Sequence, residues 1–119
     1  MSPSEALGVT TLLREQLQTL RMQLEAARAQ AISEAVAREE VIDTKDSAER
    51  EQQNQTGAAL VARLADEIDA TVAALEHVAD RSYGTCIDCR GAIGHERLLA
   101  QPAALRCLAC QSNHEHRGT

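Results

Sequence analysis

Four cysteines carry the clearest chemical signal in this chain of 119 residues. Cys86 and Cys89 form one CxxC motif, Cys107 and Cys110 form a second, and 17 residues separate the two motifs. This spacing is typical of structural zinc sites. Each motif can present two thiolates to one side, so that two motifs close a tetrahedron around Zn²⁺ with Zn–S bonds of about 2.3 Å. Four protein ligands leave no position for a substrate water, and we therefore predict one structural zinc ion.

Other chemistries of the four thiols stay open at this point. The same cage could hold iron, or the cysteines could pair as disulfides or act as a redox dithiol. A thioredoxin-like dithiol needs a CxxC motif beside a βαβ pattern, which this sequence lacks. Zinc would also stabilise a segment too short to bury much of a core. With four thiolates available, we predict that His95, His114 and His116 are surface residues and that His77 lies on an exposed helix face.

A second candidate site is the carboxylate pair Asp43 and Asp46, which is followed by Ala48 and lies between two long helical patterns. Aspartate is favoured in turns and at helix N-caps, and Asp46 with Glu49 fits the N-cap and N3 positions of a second helix. We predict that residues 43–48 form the exposed tip of a helical hairpin. Capping a helix and facing a partner are compatible roles for an aspartate at such a tip.

The first helix is predicted to begin with Ser2 as its cap, Pro3 at its first position and Glu5 closing a capping box. No glycine or proline follows between Val9 and Ile42. Apolar residues recur there at alternating spacings of four and three, which is the pattern of a seam with a single partner helix. These residues are Leu13, Leu17, Leu20, Leu24, Ala27 and Ala31.

A second helix, from about Ser47 to about Asp80, repeats this spacing. Its seam residues are Val61, Leu64, Ile68, Thr71, Leu75 and Val78. Two seams joined by a turn of three or four residues predict an antiparallel hairpin. The helical period ends near Tyr83, after which glycines and Pro102 predict turns and a short closing helix is expected from about Leu108 to His116.

The predicted fold class is therefore mainly α, with two parts. Residues 1–82 are predicted to form a long antiparallel coiled-coil hairpin with its tip at about 43–48. Residues 83–119 are predicted to form a small four-cysteine zinc-finger base with the short closing helix.

Composition restricts the partners that this chain can have. The formal net charge is −6, and an acidic surface repels phosphate backbones, so we expect no direct DNA binding. No apolar run approaches the roughly 18 residues of a membrane span, and we expect neither a membrane segment nor a secretion signal. We accordingly expect the cysteines to lie in a reducing cytoplasm. No nucleophile–base pair or open metal position is visible, and the sequence therefore predicts a protein that is not an enzyme.

Taken together, the residues of the finger and of the tip resemble the DksA/TraR family of bacterial zinc-finger transcription factors. At the tip, the resemblance lies in the pattern Asp43-x-x-Asp46-x-Ala48. In the finger it extends over a larger set of residues, which are Tyr83, Gly84, Cys86, Cys89, Ile93, Arg97, Leu98, Ala100, Pro102, Cys107 and Cys110. With a hairpin of matching length, the likeness covers nearly the whole chain.

The resemblance implies a regulator that binds RNA polymerase rather than DNA. Members of this family insert the hairpin into the secondary channel of the polymerase and alter the lifetime of promoter complexes. Asp43 and Asp46 would then be the functional carboxylates near the catalytic magnesium, with Ala48 packing beside them. The cysteines of the two CxxC motifs would hold zinc.

The sequence departs from the family pattern in three places. Arg90 follows Cys89 where the family usually has glycine, and since Gly91 comes next we expect the turn to be built one residue later. Few residues precede the first arm, so we do not expect the N-terminal extension of longer members. Longer members also carry a basic surface at the end of the second arm that helps to bind ppGpp, whereas Arg81 is the only basic residue there. Cooperation with ppGpp is therefore doubtful.

Two alternatives to a promoter regulator follow from the same residues. A zinc-stapled coiled coil could be an adaptor that binds another protein through the faces of its arms. A second alternative is a transcript-cleavage factor like the Gre proteins, in which an acidic tip recruits a metal ion to the polymerase active site.

Overall fold

Helices dominate the computed structural model, which describes residues 1–39 and 44–117, and the side chains of residues 1–37 and 56–116. Its helices are α1 (Pro3–Glu39), α2 (Thr44–Asp80), α3 (His95–Ala100) and α4 (Leu108–Arg117). They contain 90 of the 119 residues, and the described residues contain no strand beyond an isolated bridge between Thr85 and Ala92. The predicted fold class, mainly α with a four-cysteine cluster near the C-terminus, is confirmed.

The start of α1 follows from its first residues. The Ser2 hydroxyl accepts a hydrogen bond from the Glu5 backbone N–H at 3.2 Å, and the Ser2 carbonyl accepts one from the Ala6 N–H at 2.9 Å. Pro3 is the first helical residue, where its missing N–H costs nothing because that group would have no helical partner. The predicted cap of this helix is confirmed.

The start of α2 differs from the sequence-based expectation. The helix begins at Thr44, so Asp46 lies inside its first turn and is not its N-cap. Negatively charged residues are favoured throughout the first turn by the helix dipole, and position alone therefore does not distinguish a cap from an early helical residue. Asp43 lies outside the described residues, and so do the side chains of Asp46 and Ala48.

Burial along the two long helices follows the predicted seams. In α1, Leu13, Leu17 and Leu20 are buried, and the other three seam residues are half-buried. In α2, Leu64 and Thr71 are buried, whereas the other four predicted positions are half-buried. The prediction missed Ala74, which is buried and shares a helix face with Thr71, three residues before it, and Val78, four residues after it.

The chain forms two compact units. One contains Met1–Leu17 and Asp69–Thr119, and the other contains Gln18–Ile68. Each unit thus combines one end of α1 with the opposite end of α2, which is the pairing of antiparallel helices. Within the second unit, a Glu34 carboxylate oxygen lies 3.9 Å from the position that a Cβ on Gly57 would occupy. The sequence-based division of the chain between residues 82 and 83 stays a prediction.

The C-terminus of α2 is closed by a Schellman arrangement. Arg81 adopts a left-handed conformation with φ of 68°, and its N–H donates to the Val78 carbonyl at 3.3 Å. The Ser82 N–H donates to the His77 carbonyl at 2.8 Å. Side chains strengthen this end, because the His77 Nδ1 lies 2.7 Å from the Ser82 hydroxyl, which itself donates to Asp80. His77 is therefore half-buried, and its predicted exposure was wrong.

Two short helices complete the C-terminal segment. The predicted closing helix is confirmed as α4, which begins at Leu108 and ends one residue beyond the predicted His116. The sequence reading missed α3, which has six residues. Its N-cap is Gly94 with φ of 106° and no side-chain capping bond, so the usual signal of a helix start is absent.

Candidate metal centre

The thiols of Cys86, Cys89, Cys107 and Cys110 lie together, with all four sulfur atoms within 4.8 Å of one another. A tetrahedron with Zn–S bonds of about 2.3 Å has S···S edges of about 3.8 Å. The Sγ atoms of Cys89 and Cys107 are 3.9 Å apart, which matches such an edge. Four soft thiolate donors in this geometry fit zinc, and the cysteines form a C4 zinc-binding site for one structural Zn²⁺.

A narrow backbone hairpin positions the first pair of cysteines. The Ile93 N–H donates to the Gly84 carbonyl at 2.9 Å, and the bridge between Thr85 and Ala92 continues the pairing. At the closed end, the Cys86 N–H donates to the Gly91 carbonyl at 2.8 Å. Cys86 and Cys89 thus lie where the chain reverses, and both sulfur atoms can reach the same side of the turn.

Arg90 is the residue that reverses the chain at this point. It has φ of 66°, in the left-handed region, and its N–H donates to the Cys86 carbonyl at 3.0 Å. The expectation that Gly91 would supply the turn was therefore wrong. Gly91 has another role, since its N–H donates to the Cys89 Sγ at 3.4 Å.

The second pair of cysteines is placed by α4. Cys107 immediately precedes this helix, and its carbonyl accepts a hydrogen bond from the Gln111 N–H at 2.9 Å. Cys110 lies in the first turn of the helix, on the same side as Cys107. The Ile87 N–H donates to the Leu105 carbonyl at 3.0 Å, which fixes the second pair against the first.

An ion pair also connects the two CxxC motifs. The Arg106 Nε donates to an Asp88 carboxylate oxygen at 2.7 Å, and only 19% of the Arg106 side chain is exposed. The Arg106 carbonyl in turn accepts a hydrogen bond from the Arg97 Nε at 2.9 Å. Because Asp88 lies between the first two ligands and Arg106 precedes the third, this pair holds the two motifs in register.

Two of the four thiols have a shifted proton affinity, in opposite directions. Backbone N–H groups, first that of Cys89 and then those of Cys107 and Asp88, lower the pKa of Cys86 to about 6. The Cys110 thiol donates to Cys107 and Cys86, and these hydrogen bonds raise the pKa of Cys110 to about 12. The Cys110 thiol therefore keeps its proton in the absence of a cation, and the binding of Zn²⁺, which requires thiolate ligands, would release that proton.

The predicted site residues have different outcomes. The four predicted zinc ligands are brought together, and His95, His114 and His116 are exposed as expected. The sequence reading missed the supporting pair of Asp88 and Arg106. Their opposite charges, one inside the first CxxC motif and one directly before the second, are the signal that could have found them.

Comparison with known proteins agrees with this site and fold. Residues 81–116 match a family model described as the prokaryotic dksA/traR C4-type zinc finger. The structure is similar to that of transcription factor DksA2 from Pseudomonas aeruginosa, with a TM-score of 0.76. The sequences are 29% identical, and the match covers 98% of this chain and 88% of that chain. No curated protein sequence matches the chain at a significant level.

Proposed function

We propose that this chain, a member of the DksA/TraR family of zinc-finger proteins, regulates transcription by inserting residues 43–48 into the secondary channel of bacterial RNA polymerase. Family membership rests on the zinc-finger match and on the structural match over nearly the whole chain. Both matches support a role as a transcription factor, and the family is one of regulatory factors rather than enzymes.

The single observation that carries the proposal is that all four zinc ligands follow the two long helices in the sequence, so that the metal centre uses none of the acidic residues near the start of α2. In the sequence, the 37 residues of α2 separate Thr44 from the segment that binds zinc. A metal centre with four protein ligands is structural, so we expect the contacts with a partner to be made by other residues. The strongest candidates are Asp43, which lies between the two long helices in the sequence, and Asp46 in the first turn of α2.

Asp43 and Asp46 are proposed to act as the functional carboxylates, with Ala48 packing beside them. Near a catalytic magnesium ion, carboxylates change the local electrostatic potential and the water structure, which can shift the stability of a promoter complex without any covalent step. A small residue at position 48 would allow close approach to the polymerase.

Charge supports a protein partner in place of DNA. The net charge of −6 disfavours a phosphate backbone but suits a channel lined by positive side chains. None of the described helices is long and apolar enough to cross a membrane. The proposal requires a cytoplasmic protein, and it does not require ppGpp, because the end of α2 lacks the basic surface expected for cooperation with that ligand.

The test is transcription in vitro with bacterial RNA polymerase. Wild type is compared with the double variant Asp43→Asn/Asp46→Asn and with the control Asp66→Asn/Asp69→Asn. Asp66 and Asp69 are exposed carboxylates of α2 with the same spacing in sequence, so the control makes the same change in net charge. We expect wild type and control to change the lifetime of promoter complexes equally and the Asp43/Asp46 variant to lose the effect while still binding polymerase.

Two other results would favour a different function. Equal activity of both double variants would contradict a function at residues 43–48 and would favour an adaptor that uses the faces of its helices. Release of short RNAs from stalled complexes would instead indicate a transcript-cleavage factor.

A further inference from the structure

A cleft of about 440 Å³ opens beside the metal centre, between the first CxxC motif and α4. Two of the four zinc ligands, Cys89 and Cys110, line it. The remaining lining residues are Ile87, Asp88, Asn113 and His114. Solvent can therefore reach the zinc site from the side of Cys89 and Cys110.

The ligands differ in how accessible they are to solvent. Cys86 is fully buried, and it does not line the cleft. Cys89 is exposed, and its sulfur accepts a hydrogen bond of 3.4 Å from the Gly91 N–H. Of these two thiolates, Cys89 is the one that water or a competing ligand can reach first.

The cleft also contains one further side chain that is well suited to zinc. The imidazole of His114 is an established type of zinc donor, whereas the amide of Asn113 is a poor one. Asp88 is already engaged with Arg106 at 2.7 Å. His114 follows Cys110 by four residues on α4, so the two side chains lie on the same face of the helix, one turn apart.

We propose that His114 is a reserve zinc ligand, which coordinates the ion when the bond to Cys89 opens. In this exchange the Cys89 thiolate leaves the ion and a ring nitrogen of His114 donates its lone pair in its place. The ion then has three thiolates and one imidazole, and no electron is transferred. The exchange reverses when Cys89 returns. His114 thereby retains zinc in the protein during openings of the exposed side of the site.

The test measures the affinity of Co²⁺, a spectroscopic substitute for zinc, in variants of the full chain. Cys89→Ser opens the exposed ligand position, and Cys89→Ser/His114→Gln also removes the reserve ligand. We expect Cys89→Ser to bind Co²⁺ with the absorption of a site with three sulfurs and one nitrogen. The double variant should bind about tenfold more weakly or worse and lack that absorption, since the loss of groups that support a metal site typically costs tenfold or more.

Two controls separate this role from a general effect on folding. His95→Gln removes an exposed histidine of α3 that does not line the cleft, and it should change nothing. In the background Cys86→Ser the missing ligand is buried and absent from the cleft lining, so His114→Gln should have no further effect there. Equal Co²⁺ affinity and equal spectra of Cys89→Ser with and without His114→Gln would overturn the proposal.

If Cys89→Ser does not fold, the rate of zinc release from the otherwise wild-type protein provides the answer. With a chromogenic chelator in excess, His114→Gln should release zinc several-fold faster than wild type, and His95→Gln should match wild type. An unchanged release rate in His114→Gln would contradict a reserve ligand.

Discussion

Two arginines adopt left-handed conformations in this chain where glycine is the usual choice. Arg81 closes α2 with φ of 68°, and Arg90 turns the first CxxC motif with φ of 66°. This conformation costs an L-residue roughly 1–2 kcal/mol. Both side chains are exposed. The surrounding hydrogen bonds, rather than the arginine side chains, therefore impose the two turns.

Replacing Arg90 with glycine should stabilise the zinc-loaded protein. The relief of backbone strain exceeds the entropy that glycine adds to the unfolded chain, roughly 0.5–1 kcal/mol, so we expect a net gain of about 0.5–1 kcal/mol. Arg81→Gly should behave similarly. Gly84→Ala makes the opposite change at φ of 88° and should destabilise the protein. Urea denaturation with zinc in excess measures all three, and a loss of stability in Arg90→Gly would show that its side chain contributes more than the structure indicates.

Tyr83, the only aromatic residue, connects the end of α2 to the loop before the second CxxC motif. Its hydroxyl donates to the Pro102 carbonyl at 2.7 Å, and burial raises its pKa, so the donor keeps its proton at neutral pH. Tyr83→Phe removes this bond without changing the shape of the ring and should cost about 1 kcal/mol. The difference in the free energy of unfolding between wild type and Tyr83→Phe measures this loss of stability. A change near zero would mean that water replaces the hydroxyl.

Residue-scale predictions from sequence succeeded where spacing alone determines geometry. Two CxxC motifs predict four thiols that lie close together, because each short turn presents both of its sulfur atoms to the same side. The left-handed conformation of Arg90 depends on the hydrogen bond from its N–H to the Cys86 carbonyl, and the burial of His77 depends on the Ser82 hydroxyl. Neither hydrogen bond could be predicted from the types and spacing of the residues.

At the scale of elements, the position of a leucine in the helical period of α1 determines whether its side chain is buried. Leu13 is fully buried, whereas Leu12 remains 48% exposed. Leu13→Ala should destabilise the protein by about 2–4 kcal/mol, because it removes a buried side chain and leaves a cavity. Leu12→Ala makes the same chemical change on the exposed face and should cost less than about 1 kcal/mol. Similar losses in thermal denaturation would contradict the assignment of the seam.

The helical period of apolar residues also explains which helices could be predicted from the sequence. Helices α1 and α2 have 37 residues each, over which the spacing of apolar residues is unambiguous. The start of α2 was misplaced because Thr44 and Asp46 suit a cap as well as a first turn. Helix α3 was missed because six residues are too few to show a period and Gly94 gives no capping signal.

At the scale of the whole molecule, zinc binding should control the C-terminal segment far more than the long helices. Cys107→Ser removes a ligand that immediately precedes α4 and should release the metal and unfold that segment. Helices α3 and α4 contain 6 and 10 residues, so the loss of both would lower the helical signal by only about a fifth. Metal analysis with circular dichroism tests this. Retained zinc and an unchanged spectrum would contradict a structural role for Cys107.

The central claim is that residues 43–48 enter the secondary channel of RNA polymerase. The most direct measurement is photo-crosslinking to the polymerase from two positions, one at Ser47 and one at Leu99, an exposed residue of α3. We predict that the crosslinker at position 47 reacts with polymerase segments that line the channel beside the catalytic magnesium, and that the crosslinker at position 99 does not. Binding of polymerase with no crosslink from position 47, or with crosslinks only to its outer surface, would contradict the account.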